Sequence, residues 1–223
     1  MNKSKVVMII VEGKTEQLFI ENILAPYFAP KGIYLKATQL TKKGQKGGDV
    51  RFSRAKTDIR NHFRQRSDTI VSIFVDYYGI KEWPGLDSVP SNATPEQIAD
   101  HLNAKVKQAI LAEFPESNPA VRFIPFLAVH EFEALLFSDT AVLATELGIE
   151  KSTIDRVVCE CGSPEKINNS PETAPSKRLE NWSKGHYGKT STGLAIAEKV
   201  GIMKMREYCP LFDAWLNLLE HAQ

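Results

Sequence analysis

The chain has 223 residues, 43% hydrophobic and 25% charged, the balance of a globular protein of one large or two small domains. A formal net charge of +1 provides no globally basic coat, so any contact with nucleic acid has to come from a local basic groove. Cys159 and Cys161 stand too close in CEC for a disulfide framework and lack a second spaced pair for a metal site, so the three cysteines read as structural residues of a reducing compartment. The first apolar run, Val6 to Val11, is shorter than a signal-peptide core or a membrane span, and the expected location is the cytoplasm, with no membrane segment.

KVVMIIV is the continuous β-branched and aliphatic pattern of a strand buried on both faces of a parallel sheet. It ends at Glu12 and Gly13, and TEQLFIENILAPYF follows with Leu18, Ile20, Ile23 and Leu24 near one helical stripe and Pro26 at or near a break. GIYLKATQL alternates as a second strand, and the Gly- and Lys-rich TKKGQKGGDVRFSR has no periodicity and reads as a basic loop. RAKTDIRNHFRQR is a helix candidate with thin apolar content. DTIVSIFVD is another buried-type strand, and it too runs into a carboxylate, Asp76.

A proline-rich connector leads to a helix expected from Pro95 to about Phe114, with Thr94 as its N-cap. AVRFIPFLAV reads as a strand that Pro125 pushes to an edge. In HEFEALLFSD, Phe132, Leu135 and Leu136 form a helical stripe, and Glu131 and Glu133, two apart, are not expected to share a face. AVLATELG, STIDRVVCEC, GLAIAEKVGI and LFDAWLNLLE supply further helices, separated by a long polar loop. The expected architecture is an α/β core of mostly parallel sheet flanked by helices over residues 1–140, with a helical C-terminal portion over 141–223 packed on it, or one domain throughout.

Carboxylates at two strand ends, Glu12 and Asp76, point to a hard oxygen site for Mg²⁺ or Mn²⁺, which takes carboxylate, water and phosphate oxygens and serves phosphodiester chemistry. The plainer reading of Glu12 is favourable charge at the start of the next helix, a contribution of about 0.3 to 1 kcal/mol. Strand alternation returns Tyr78 to the Asp76 side, where it would bond a phosphate, stack on a base or close the site. Ser176, Lys177 and Arg178 in TAPSKRL suit a phosphate clamp, or else form a solvated loop and helix start. In HYGKT, Lys189 would reach the same phosphate, and His186 is either a general acid or exposed. His130 at a helix start suits a neutral imidazole or is simply a terminal residue. The basic run from Lys42 to Arg54 either grips a nucleic-acid backbone or solvates the surface.

VEGKTE after a hydrophobic strand, with VDYYG ending a later one, resembles the Toprim domain of topoisomerases, bacterial primases and overcoming-lysogenization-defect nucleases. The resemblance implies a Toprim-like fold and a divalent-metal nuclease in which Glu12 matches the strand-end glutamate, a metal ligand or base. Asp76 matches the first aspartate of the Asp-x-Asp motif, and Tyr78 stands where the second would be. Glu133, or else Glu131 or Asp139, then completes the metal set, with Lys177 as a further catalytic group and Lys14, His130, Ser176, Arg178 and Lys189 toward phosphate. VEGKTE, VDYYG, HEFEALLFSD, INNSPETAPSKRL and CPLFDAWL together resemble the DUF4276 family over nearly the whole chain. That resemblance implies nucleic acid as a partner, an ATPase of AAA or ABC type beside it, and a role in phage defence or a mobile-element system. The competing expectations are a non-catalytic nucleotide-binding or ATPase-partner protein, and a phosphotransferase or phosphatase acting on a small nucleotide.

Overall fold

The run KVVMIIV is apolar on both faces, and it forms β1 (Lys5–Val11), an inner strand whose residues Ile9 to Val11 are fully buried. The computed structural model of the chain describes residues 4–41, 50–129, 131–167 and 172–222. Two compact units emerge, residues 1–128 with 215–223, and residues 129–214. The core and C-terminal portion read from the sequence meet instead at residue 140.

In the first unit, α1 (Lys14–Phe19) follows the Glu12-Gly13 turn and continues through a π-helical turn (Ile20–Leu24) into α2 (Ala25–Phe28). Pro26 does not end this helix. The backbone widens just before it, with the Ala25 amide donating to Ile20 O, a π-bulge beside a proline. Next come β2 (Ile33–Gln39), the two-residue β3 (Val50–Arg51), α3 (Phe52–Gln65), β4 (Thr69–Asp76) and β5 (Ile80–Lys81). α4 (Pro95–Glu113) starts at the N-cap expected at Thr94, which the structure extends to a capping box: Thr94 Oγ1 accepts from Gln97 N at 3.3 Å while Gln97 Oε1 accepts from Thr94 N at 2.9 Å. A short α5 (Pro119–Arg122) leads into β6 (Phe123–Ala128), so Ala120 to Arg122 of the expected strand are helical.

The fold is α/β. Four parallel strands lie in the order β2-β1-β4-β6, and β3 pairs with β5. β4 is buried from Thr69 to Val75, as an inner strand must be. Its two faces take different partners. Val71, Ile73 and Val75 pack with Ile59 and Phe63 of α3 and with Leu102, Val106 and Ile110 of α4. Ser72 and Phe74 face Trp215, whose indole lies parallel to Phe126 at 4.6 Å and donates from Nε1 to Ser72 Oγ at 3.0 Å. Ser72 Oγ in turn donates to Ile124 O at 2.6 Å, so the buried indole N–H and the buried hydroxyl are both satisfied. Pro125 lies on an edge strand, as its missing amide requires.

The second unit is helical. Its centre is a 3₁₀ segment, Phe132–Ser138, with every residue buried. Around it are α6 (Thr140–Leu147), α7 (Lys151–Cys161), α8 (Pro175–Trp182), α9 (Leu194–Val200), entered through a π-helical turn (Lys189–Gly193), and α10 (Ile202–Tyr208). α11 (Pro210–His221) begins here and ends in the first unit from Trp215. Asp139 caps α6 by accepting from Ala141 N at 3.1 Å and Val142 N at 3.0 Å. Glu165 caps α11, accepting from Leu211 N and Phe212 N at 2.9 Å each. Cys209 is buried, whereas Cys159 is exposed on α7. Among the described residues, no helix is long and apolar enough to cross a membrane.

Candidate functional site

The chain passes from β1 to β2 on one side and then crosses back to β4 on the other, which makes β1 and β4 the switch point of the sheet. In open α/β sheets the crevice outside the carboxyl ends of such strands is where ligands bind. Val11 pairs with Phe74, so Glu12 leaves β1 and Asp76 closes β4 at neighbouring positions on that edge. Glu12 Oε2 and Asp76 Oδ1 are both shut away from solvent.

Gly79 explains how a glutamate fits there. A Cβ at position 79 would sit 2.6 Å from Glu12 Oε2, 3.1 Å from Oε1 and 3.2 Å from Cδ. The Glu12 carboxylate therefore lies against the backbone of the turn that follows Asp76 (Tyr77–Gly79). VEG and DYYG, 64 residues apart from Glu12 to Asp76, meet at this point. Glu16 folds back within its own turn, with Oε2 accepting from Gly13 N at 3.0 Å. Lys14 is exposed on the same turn, its ammonium 3.4 Å from Gln17 Oε1. Tyr78 is 55% exposed, and its ring meets Tyr77 edge to face at 5.0 Å.

Two carboxylates with oxygens drawn out of solvent, on adjacent strand ends, fit Mg²⁺ or Mn²⁺, which one or two protein carboxylates hold while water and phosphate take the remaining positions. Among the described residues, no group of three or more His, Cys, Asp or Glu side chains is clustered to hold a metal. Within this unit the donors are Glu12 and Asp76.

The second unit holds a separate polar cluster. Glu131 is extended and Glu133 lies in the 3₁₀ segment, a geometry that turns both acids to one cation, unlike the α-helical spacing read from the sequence. Lys189 Nζ is 3.1 Å from Glu133 Oε1 and 3.7 Å from Glu131 Oε1. Glu131 Oε2 also accepts from Ser176 N at 2.9 Å, at the first turn of α8. Burial pushes the Glu133 carboxyl above its ordinary pKa against the pull of Lys189, and neighbouring Glu131 adds to the rise. Burial and Glu133 likewise push the Tyr187 hydroxyl well above the usual phenol range. That hydroxyl lies over Gly193, where a Cβ would be 2.5 Å away. Neither Tyr187 nor Gly79 was among the residues expected from the sequence. Their signal is the close packing of a glycine under a polar atom, which no spacing rule reports.

The other candidates are placed as follows. Ser176 is buried with its amide on Glu131. Lys177 points outward and pairs with Glu180 at 2.7 Å. Arg178 Nε donates to Thr173 O at 2.9 Å. His186 is exposed, and Asp139 serves as a helix cap. His130 and residues 42–49 of the basic run lie outside the described residues.

These features define an α/β protein with acidic residues at the switch point of a parallel sheet. Over residues 11–220 the sequence matches the family described as Domain of unknown function (DUF4276), and the chain belongs to that family. No curated protein matches it. Among solved structures, the C-terminal region of the Burkholderia pseudomallei OLD protein is similar at 13% identity and a TM-score of 0.48, over 97% of this chain and 98% of that one.

Proposed function

We propose that this protein is a divalent-metal-dependent nuclease, or a related phosphodiester-cleaving enzyme, centred on Glu12 and Asp76. The observation that carries the proposal is the meeting of the two strand-end carboxylates at the switch point, with Gly79 leaving room for the first. Mg²⁺ or Mn²⁺ bound there supplies positive charge to a phosphodiester as it is cleaved. Glu12 and Asp76 bind the ion. Gly79, lacking a Cβ, leaves room for the Glu12 carboxylate, and the exposed ammonium of Lys14 offers a phosphate contact on the same turn. The resemblance of VEGKTE and VDYYG to Toprim nucleases supports nucleic acid as the substrate. The resemblance to DUF4276 proteins supports a setting in phage defence or a mobile-element system, beside an AAA or ABC type ATPase.

The test incubates wild type, Glu12→Gln and Asp76→Asn with DNA and RNA, single-stranded and duplex, in Mg²⁺ or Mn²⁺. Cleavage by wild type that both substitutions abolish, with unchanged circular dichroism, is the expected result. A second reading is favoured by Tyr78, an aromatic residue where the Toprim pattern has an acid: a non-catalytic nucleotide-binding or ATPase-partner protein. Wild type inert on every substrate with either metal would overturn the nuclease and favour the partner.

A further inference from the structure

We propose that Tyr78 is a base-stacking residue and that the substrate presents an unpaired base, either in single-stranded nucleic acid or turned out of a duplex. The inference rests on the Glu12 and Asp76 reading for the position of the phosphate. Tyr78 follows Asp76 by two residues and immediately precedes Gly79, whose backbone lies against the Glu12 carboxylate. A base attached to a phosphate at those carboxylates is therefore within reach of the ring.

The ring is built to receive it. Tyr77, half-buried, packs against the cluster that contains Ile80 and Trp83 and so anchors the turn. Tyr78 rests on Tyr77 edge to face, with ring planes at 71°, and still exposes 55% of its surface. An aromatic ring fixed by its neighbour loses little freedom when a second ring settles on it. Inside a duplex every base face is covered by its neighbours in the stack, so a ring at this position finds a free face only on an unstacked base. Such stacking is tolerant of sequence, because every base has a π-face.

The test measures fluorescence anisotropy of labelled oligothymidylate and oligouridylate in Mn²⁺ with Glu12 and Asp76 intact, on phosphorothioate backbones that resist cleavage. Tyr78→Ala is expected to weaken binding by about 5- to 150-fold, the range for loss of one stacking ring. Tyr78→Phe is expected to keep the affinity. An abasic backbone of the same length is expected to bind more weakly and to lose nothing further on Tyr78→Ala. Equal losses for Phe and Ala would assign the hydroxyl to a phosphate and overturn the proposal. So would an equal Tyr78→Ala loss on the abasic backbone, the same loss on a blunt duplex, or no binding of any oligomer. Failure of the nuclease reading stays separate: an inert wild type with the expected anisotropy pattern removes the enzyme and leaves the stacking, whereas active cleavage without the pattern removes only the stacking.

Discussion

Gly79→Ala should separate the site from the fold. The added Cβ would meet Glu12 Oε2 at 2.6 Å and Oε1 at 3.1 Å. Non-bonded carbon contacts settle at about 3.5 to 4.0 Å, so the carboxylate has to retreat by roughly 1 Å. The backbone at position 79 is outside the left-handed region, so alanine is accommodated there without backbone strain. Loss of glycine freedom in the unfolded chain contributes about 0.4 to 1 kcal/mol in favour of the variant, and turning Glu12 off its rotamer costs about 0.5 to 1.5 kcal/mol. These nearly cancel, and at about 2 to 4 °C per kcal/mol for a chain of this size the melting temperature should move by no more than roughly 4 °C. A misplacement of about 1 Å at a reacting centre is worth roughly a 100-fold loss of rate. The assay pairs thermal melting with metal-dependent cleavage of an oligonucleotide. Undiminished cleavage would refute the reasoning, because the Glu12 carboxylate would then have no need of its position against Gly79. A drop of ten degrees or more in melting temperature would refute it differently, by placing the strain in the fold.

Trp215→Ala removes the parallel contact with Phe126 and leaves the Ser72 hydroxyl without its indole donor, and denaturant titration should show a loss of about 3 to 5 kcal/mol. Glu133 sets a pH dependence. Its folded pKa is raised above the ordinary 4.5, so the folded state holds the proton longer than the unfolded chain. Stability therefore falls as pH rises from about 4.5 through the raised value, and is level above it. Glu133→Gln should abolish that slope in melts taken across the acidic range. Gly193→Ala drives a Cβ to 2.5 Å from the Tyr187 hydroxyl and should cost about 1 to 3 kcal/mol by overpacking, and Tyr187→Phe in the same chain should restore part of the loss.

Strands were the most legible part of the sequence. Val6 to Val11 is a continuous apolar run and TIVSIFV one broken inside the strand only by Ser72, because both faces are covered, and each ends where its carboxylate begins. The N-cap at Thr94 was legible for a similar reason, since its hydrogen bonds are local. HEFEALLF was not, because Phe132, Leu135 and Leu136 make a stripe on either an α-helix or a 3₁₀-helix, and the extended backbone of Glu131 ahead of the 3₁₀ segment, which brings it to the same lysine as Glu133, leaves no periodic trace. The β3–β5 pair has two residues in each strand, too few for any periodicity. Trp215 reads as one apolar residue of an amphipathic helix, yet its partner Ser72 lies 143 positions away, a separation no local pattern encodes. In the candidate site, the acids Glu12 and Asp76 stood out because charge is unusual at the end of a buried strand. The role of Gly79 depends on a close approach across the chain and needed coordinates.

The central claim is that Glu12 and Asp76 together hold one divalent metal ion. Calorimetric titration of Mn²⁺ into wild type, Glu12→Gln and Asp76→Asn tests it most directly. The account predicts one saturable site in wild type that either substitution abolishes, with each variant melting like the wild type. Equal Mn²⁺ binding by all three proteins would contradict it.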